Sequence, residues 1–147
     1  MNILQDNPGL SGLEQLRALM GLGGPPISDT LKFSLVEVDD GRAVFEGIPG
    51  RHAYNPIGAI HGGYAATLLD SACGCAVHSK LTAAQAYTTL DLKVSYHRPL
   101  TDQTGPVRAE GRVITIGRRA AFAEATLKDT AGKLYASATS TLLVMDR

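Results

Sequence analysis

The sequence contains no tryptophan and only two cysteines, and aromatic residues make up just 5% of its 147 residues. The cysteines, Cys73 and Cys75, lie two positions apart within an apolar segment, a spacing that suits neither a disulfide nor a zinc finger. We therefore expect both to be reduced packing residues in a cytoplasmic protein. With so few aromatic residues, the core should consist mainly of aliphatic side chains and alanine.

Net charge is also absent, because 14 basic residues balance 14 acidic ones. Nucleic acids and anionic membrane surfaces usually bind proteins with a basic excess, so we expect neither as a partner. No apolar run is long enough to span a bilayer, and the N-terminus lacks the basic start and apolar core of a signal peptide. The length favours a single domain over residues 1–147, large enough to bury a core.

Hydrophobic patterning predicts a small helix, a long helix and six strands. The small helix covers residues 11–20 with Ser11 as its N-cap, so residues 1–26 are expected to form a peripheral helix and a linker. The long helix covers residues 62–79 and is apolar over much of its circumference, which indicates burial. Strands are predicted over residues 31–35, 42–47, 87–96, 107–116, 120–127 and 134–145.

The order of these elements favours an α+β fold. No crossover helix separates the last four strands, so the sheet should be mostly antiparallel. Strict alternation in the 87–96 strand predicts Leu90, Leu92 and Tyr96 on one face and Thr89 and Asp91 on the other. A single helix covers only part of one face of such a sheet, so we expect an oligomer to bury the rest.

The long predicted helix begins with two glycines, Gly62 and Gly63, directly after His61. A helix N-terminus presents unpaired N–H groups and a partial positive charge, and glycine lets a ligand oxygen approach them closely. Such groups can polarise a carbonyl and stabilise an oxyanion. Two structural explanations stay open: the glycines relieve crowding where loop meets helix, and His61 acts as an N-cap or loop anchor.

Asp70 is the only charged residue between Arg51 and Lys80, and its neighbours are apolar. Such a carboxylate either caps a nearby backbone N–H or acts as a nucleophile or general base tuned by partial burial. Asp70 follows Gly62 by eight residues, which is about 12 Å along one helix at about 1.5 Å per residue. If both act on one bond, they must come from two copies of the helix, so we expect an active site shared across a dimer.

The spacing Asn55-x-x-Gly58-x-x-His61-Gly-Gly63, followed by Asp70, resembles that of the hotdog-fold acyl-CoA thioesterases, in particular the phenylacetate-degradation type. Residues 88–99 are similar to the central strand of that family and its exit, and the resemblance covers residues 31–145. It implies a curved antiparallel sheet of about six strands wrapped around one long central helix. It also implies dimers joined edge to edge, with a homodimer as the minimal active unit and a homotetramer as the full assembly, and no cofactor or metal.

The resemblance implies a role for each matching residue. Asp70 matches the catalytic acid, as general base on water or as nucleophile at the thioester carbon, and the N–H of Gly62 matches the group that binds the thioester oxygen. Asn55 matches a side chain that places the water or the carboxylate, and His61 one that orients the loop and assists the thioester. Thr89 matches a hydroxyl near the acid across the interface. The expected substrates are small-to-medium or aromatic acyl-CoAs.

Five further residues are candidates for binding the substrate. Arg118 and Arg119 lie at a predicted turn, where they either reach the phosphates of CoA or remain solvated. His97 is a weaker candidate of the same kind. Gly63 adjoins the predicted oxyanion site, and Tyr64 on the first helical turn either lines an acyl pocket or packs. The four histidines show no metal-ligand spacing.

Two other functions stay open at this point. A hotdog hydratase or dehydratase would pair a catalytic histidine with an acid in a different sequence arrangement. A non-catalytic acyl-CoA-binding or ligand-binding hotdog domain would keep the sheet, the helix and the arginines but would not need Asp70.

Overall fold

The computed structural model describes residues 1–147 and contains one six-stranded antiparallel sheet. The strands are β1 (Phe33–Asp39), β2 (Arg42–Gly47), β3 (Gln85–Tyr96), β4 (Val107–Ile116), β5 (Ala120–Asp129) and β6 (Leu134–Asp146). Their order in the sheet is β1-β2-β4-β5-β6-β3, so β1 and β3 are the two edge strands. The helices are α1 (Ile3–Asp6), α2 (Gly12–Met20), α3 (Pro26–Leu31) and α4 (Gly62–His78), with a short 3-10 helix at Arg51–Ala53. The predicted α+β hotdog fold, with six strands and one long helix, is confirmed.

The N-terminal region has more helix than the sequence pattern predicts. Ser11 caps α2 as expected, because its hydroxyl accepts the N–H of Glu14 at 3.4 Å while the Glu14 carboxylate accepts the N–H of Ser11 at 2.8 Å. The helices α1 and α3 were not predicted, since four- and six-residue helices show little periodicity. Lys32 has a left-handed φ of 58° after α3, so β1 starts at Phe33 rather than at the predicted residue 31.

The central helix α4 packs on one face of the sheet and forms the middle of the core. Leu68 and Leu69 are fully buried there. The closest approach is at Gly111 of β4, where a Cβ would overlap the carbonyl oxygen of Ala72 and lie 2.9 Å from the nitrogen of Cys73. Gly111 thus sets the distance between sheet and helix. None of the helices combines the length and the apolar character that crossing a membrane requires.

Replacing Gly111 with alanine should destabilise the protein by about 3 kcal/mol, because the helix must move away from a packed sheet. The free energy of unfolding, from urea titration followed by circular dichroism, measures the effect. Gly9→Ala is the matched control, since a Cβ at Gly9 meets nothing within 4 Å. It should change stability by less than about 0.5 kcal/mol. Equal effects of the two changes would contradict this account of the helix–sheet contact.

Edge strand β3 contains a β-bulge that reverses part of the predicted alternation. Along β6, consecutive residues pair with Thr89 and Asp91, so Leu90 is an extra residue without a partner and is 60% exposed. The bulge places Thr89 on the same face as Leu92, toward α4. The predicted assignment of Thr89 to the opposite face from Leu92 is therefore wrong, because strict alternation ends at Leu90.

Candidate active site

The N-terminus of α4 presents a single unpaired N–H group. The Nδ1 atom of His61 accepts the N–H of Gly63 at 2.8 Å, and its carbonyl oxygen accepts the N–H of Tyr64 at 2.9 Å. The N–H of Gly62 makes no hydrogen bond within the chain. Of the two glycines, only Gly62 therefore offers a free N–H to a ligand oxygen, and His61 is the N-cap that the sequence left open.

The side chains beside this N–H can only donate hydrogen bonds. Because Nδ1 of His61 accepts the N–H of Gly63, the proton of the neutral ring lies on Nε2, which becomes a donor. The Oδ1 atom of Asn55 accepts the N–H groups of Ile57 and Ala59, both at 3.1 Å, which leaves its amide nitrogen as a donor. A neutral His61 thus lacks the free acceptor nitrogen of a general base. This end of the helix suits an oxyanion.

Gly62 lines a pocket of about 410 Å³. Its polar wall brings together four of the predicted site residues, namely Asn55, His61, Gly62 and His97. Arg98 adds a cation, and apolar side chains such as Ile60 and Leu100 complete the lining. His97 is held by a hydrogen bond between its Nε2 and the hydroxyl of Ser137, at 2.9 Å.

Tyr96 also lines this pocket and was missed as a site residue. Its hydroxyl donates to the carbonyl oxygen of Gly62 at 2.6 Å, and a Cβ at Gly62 would lie 3.0 Å from that hydroxyl. A side chain at position 62 would therefore crowd the hydroxyl of Tyr96. The only sequence signal for Tyr96 is its place at the end of β3, directly before His97 and Arg98.

Asp70 lies two helical turns further along α4, half-buried beside β3. The hydroxyl of Thr89 donates to its Oδ1 at 3.0 Å, while Oδ2 makes no hydrogen bond within the chain. This contact lies within one chain, and the hydroxyl across the interface that the resemblance implies stays a prediction. Thr89 faces α4 together with Leu92, and the extra residue Leu90 lies between them in the strand.

The two thiols near Asp70 stay protonated at neutral pH. Burial raises the pKa of Cys73 and of Cys75 to about 12, and the negative charge of Asp70 adds to the effect. Burial also raises the pKa of Tyr87, with Cys75 and Asp70 as smaller causes. Both cysteines are free, and neither is a thiolate nucleophile. The carboxylate of Asp70 is therefore the candidate reactive group at this point of the helix.

The donor end and the carboxylate of one chain are too far apart to share a carbonyl. Gly62 contacts Tyr96 at the end of β3, whereas Asp70 contacts Thr89 near its middle. The eight-residue separation on α4 corresponds to about 12 Å. Each chain thus contains two halves of a possible site, one that donates hydrogen bonds and one that accepts a proton.

The other predicted binding residues fall into two groups. Tyr64 is 2% exposed, and its hydroxyl is buried near Gly47 without a hydrogen-bond partner, so it packs in the core rather than lining a pocket. Burial raises its pKa to about 12. Arg118 and Arg119 are exposed in the β4–β5 turn, beside a pocket of about 550 Å³, and form no ion pair with a carboxylate.

Sequence comparison defines the class of protein. Residues 57–136 match the family model of the thioesterase superfamily. A protein of Saccharolobus solfataricus that carries the provisional name of esterase is 31% identical over 109 residues, covering 74% of this chain and 75% of that protein. A similarly named protein of Halobacterium salinarum is 44% identical over 69 residues, which span 46% of this chain and 44% of that protein. The chain belongs to the thioesterase superfamily, and the predicted class of enzyme, a thioester hydrolase, is confirmed.

A solved structure supports the narrower resemblance. A mutant of the phenylacetic acid degradation protein PaaI from Thermus thermophilus is 27% identical, with a TM-score of 0.73. The match covers 81% of this chain and 98% of that one. The predicted resemblance to hotdog thioesterases of the phenylacetate-degradation type is confirmed.

Proposed function

We propose that this protein hydrolyses small-to-medium or aromatic acyl-CoAs to the free acid and CoA, in a site shared by two copies of the chain. The observation that supports this proposal is the position of two groups on α4, the unpaired N–H of Gly62 at its N-terminus and the carboxylate of Asp70 further along. The unpaired N–H of Gly62 is suited to hold a carbonyl oxygen, and Asp70 is suited to accept a proton. Their separation of about 12 Å requires one chain's Gly62 to meet the other chain's Asp70.

In the proposed reaction, the thioester oxygen accepts the N–H of Gly62, and the Nε2–H of His61 lies in the same pocket. The carboxylate of Asp70 takes a proton from water, and the oxygen of that water adds to the thioester carbon. The resulting oxyanion is stabilised by the donors around Gly62. The C–S bond then breaks, and the CoA thiolate takes the proton from Asp70, which leaves the free acid.

A second route uses the same atoms. An Asp70 oxygen attacks the thioester carbon, the thiolate leaves, and water hydrolyses the mixed anhydride. Thr89 has the same part in both routes, because its hydrogen bond fixes Oδ1 of Asp70 and leaves Oδ2 to react. The amide nitrogen of Asn55 is the proposed donor that places the water or the carboxylate.

Edge strand β3 is the proposed dimer contact. It is 12 residues long and has β6 as a neighbour on one side only. Such an edge readily pairs with another strand. Antiparallel pairing of two β3 strands about a two-fold axis near Leu92 and Lys93 brings Thr89 of one chain opposite Tyr96 of the other. Because these residues contact Asp70 and Gly62, this arrangement joins the two half-sites.

Further expectations extend this proposal. Arg118 and Arg119 are unpaired cations beside the first residue of β3, Gln85, and we propose that they bind the CoA phosphates. A homotetramer built from two such dimers and a cytoplasmic location stay predictions.

A mixture of two inactive variants tests the shared site. Asp70→Asn removes the base, and Gly62→Pro removes the N–H, so each homodimer should keep at most about 1% of the wild-type turnover. After mild denaturation and refolding together in equal amounts, half of the dimers are mixed, and each has one intact site. Activity should therefore return to about one quarter of the wild-type value, measured as free thiol released from phenylacetyl-CoA.

The outcome separates two arrangements. No recovery, with mixed dimers verified by native mass spectrometry of differently tagged chains, would place both groups in one chain's own site. The control is the same mixing of Asp70→Asn with itself, which should recover nothing.

A further inference from the structure

The N-terminal helices border a partly open apolar pocket that has no part in the reaction described above. Its volume is about 270 Å³, and it lies between α1, α2, α4 and the start of β3. The N-terminal helices contribute the aliphatic wall, and α4 and β3 contribute the rest. The lining residues are Ile3, Leu4, Leu16, Leu19, Cys75, His78, Ala86 and Tyr87.

Specific hydrogen bonds hold α1 and α2 in place on the N-terminal side of this pocket. The guanidinium of Arg147 donates to the carbonyl oxygen of Leu4 at 2.7 Å and to that of Ala83 at 2.9 Å, which ties α1 to the segment before β3. Gln15 of α2 is 1% exposed, and its side chain bonds to the His78 ring at 2.8 Å. The N-terminal helices are thus attached to α4 by one buried hydrogen bond and, through Arg147, to the segment before β3 by two exposed ones.

Tyr87 connects this pocket to the catalytic carboxylate. It lies two residues before Thr89, which holds Asp70, and its hydroxyl lies against Gly74, one helical turn after Asp70. One turn of helix is about 5.4 Å, so a chain of a few carbons attached to a thioester at Asp70 reaches the pocket.

We propose that this pocket binds the acyl group, and that the N-terminal helices thereby select the substrate. The inference rests on the proposed thioester site at Asp70. A cavity of about 150 Å³ holds benzene, so about 270 Å³ holds a phenyl ring with a short linker or a chain of about six carbons. The selected substrates are therefore arylacetyl- and medium-chain acyl-CoAs.

Two leucines of α2 provide a matched test. Leu19 lines the pocket and Leu13 does not, although both are partly buried against the core. We expect Leu19→Phe to fill the pocket and Leu13→Phe to leave it open. Thermal melting and circular dichroism establish that both variants fold, and Leu19→Ala, which enlarges the pocket, is a second variant that avoids overpacking.

Binding of non-hydrolysable thioethers measures occupancy without activity. Each CH₂ moved from water to an apolar site strengthens binding by about fourfold. By calorimetry, wild type should bind hexyl-CoA at least about tenfold more tightly than methyl-CoA, and Leu13→Phe should keep this ratio. Leu19→Phe should reduce it to below about threefold, and Leu19→Ala should move the preference to octyl-CoA.

The outcomes distinguish this inference from the proposed function. An unchanged hexyl-to-methyl ratio in Leu19→Phe would overturn the pocket assignment, whether or not wild type hydrolyses acyl-CoAs. A ratio that falls in Leu19→Phe and not in Leu13→Phe supports the pocket. If the variants showed that pattern but wild type hydrolysed no acyl-CoA, the proposed catalytic function would be wrong and the assignment of the pocket would remain supported.

Discussion

Replacing Asp70 with asparagine should lower kcat for acyl-CoA hydrolysis by about 10²- to 10⁴-fold, the usual range for loss of a general acid–base group. The change is nearly isosteric, and the amide oxygen of asparagine can still accept the hydroxyl of Thr89. Stability and the affinity for a thioether analogue should therefore remain close to those of wild type. The measurement is the release of free thiol from phenylacetyl-, benzoyl-, hexanoyl- and acetyl-CoA.

The control removes a carboxylate of the same kind elsewhere. Asp29 lies exposed on α3 and makes no ion pair, so Asp29→Asn should leave turnover unchanged. Hydrolysis by Asp70→Asn at the wild-type rate would show that this carboxylate has no chemical part. A wild-type protein that binds the analogues tightly and hydrolyses none of the panel would instead be a binding domain.

Replacing Gly62 with proline should lower kcat by about 10²- to 10³-fold, as expected for loss of an oxyanion donor. Gly62 is the first residue of α4, where proline fits the helix, and His61 before it has the extended ψ of 135° that proline requires. The substitution thus removes one N–H group and preserves the helix. Turnover of phenylacetyl-CoA, with kcat and KM determined separately, measures the loss.

Alanine at the same position is the matched control. Both substitutions add a Cβ that crowds the hydroxyl of Tyr96, but only proline removes the N–H. The difference between the two variants therefore reports the N–H alone, and Gly62→Ala should lose less than about tenfold. Equal losses in both variants would mean that crowding against Tyr96, and not the N–H, explains the need for glycine.

Much of the fold follows from local signals in the sequence. The apolar circumference of α4 and the alternation along the strands each depend on neighbouring residues, so periodicity predicts them. The bulge at Leu90 does not, because nothing in the local pattern shows that β6 pairs around an extra residue. The sequence pattern also does not predict the four-residue helix α1, since its stability comes from the cap at Asn2 and from packing.

The same division applies to the candidate site. Asn55, His61 and Gly62 come together because they are close in sequence, and their spacing indicated a shared role. The contacts of Tyr96 with Gly62 and of Thr89 with Asp70 join residues 34 and 19 positions apart. These pairs depend on how β3 crosses α4, which the sequence pattern does not specify. The sequence allows Tyr64 either to pack in the core or to line a pocket, and only the structure shows that it is buried.

The extra residue in β3 has a consequence for chains of different length. In a regular strand, losing one residue would turn every later side chain to the opposite face. Loss of Leu90 would not turn the later side chains, because Thr89 and Asp91 already pair with adjacent residues of β6. Deleting Leu90 would give a regular ladder in which the later residues keep their faces and Thr89 still points at Asp70. Position 90 is therefore where this edge strand can become shorter by one residue during evolution without turning Thr89 away from Asp70.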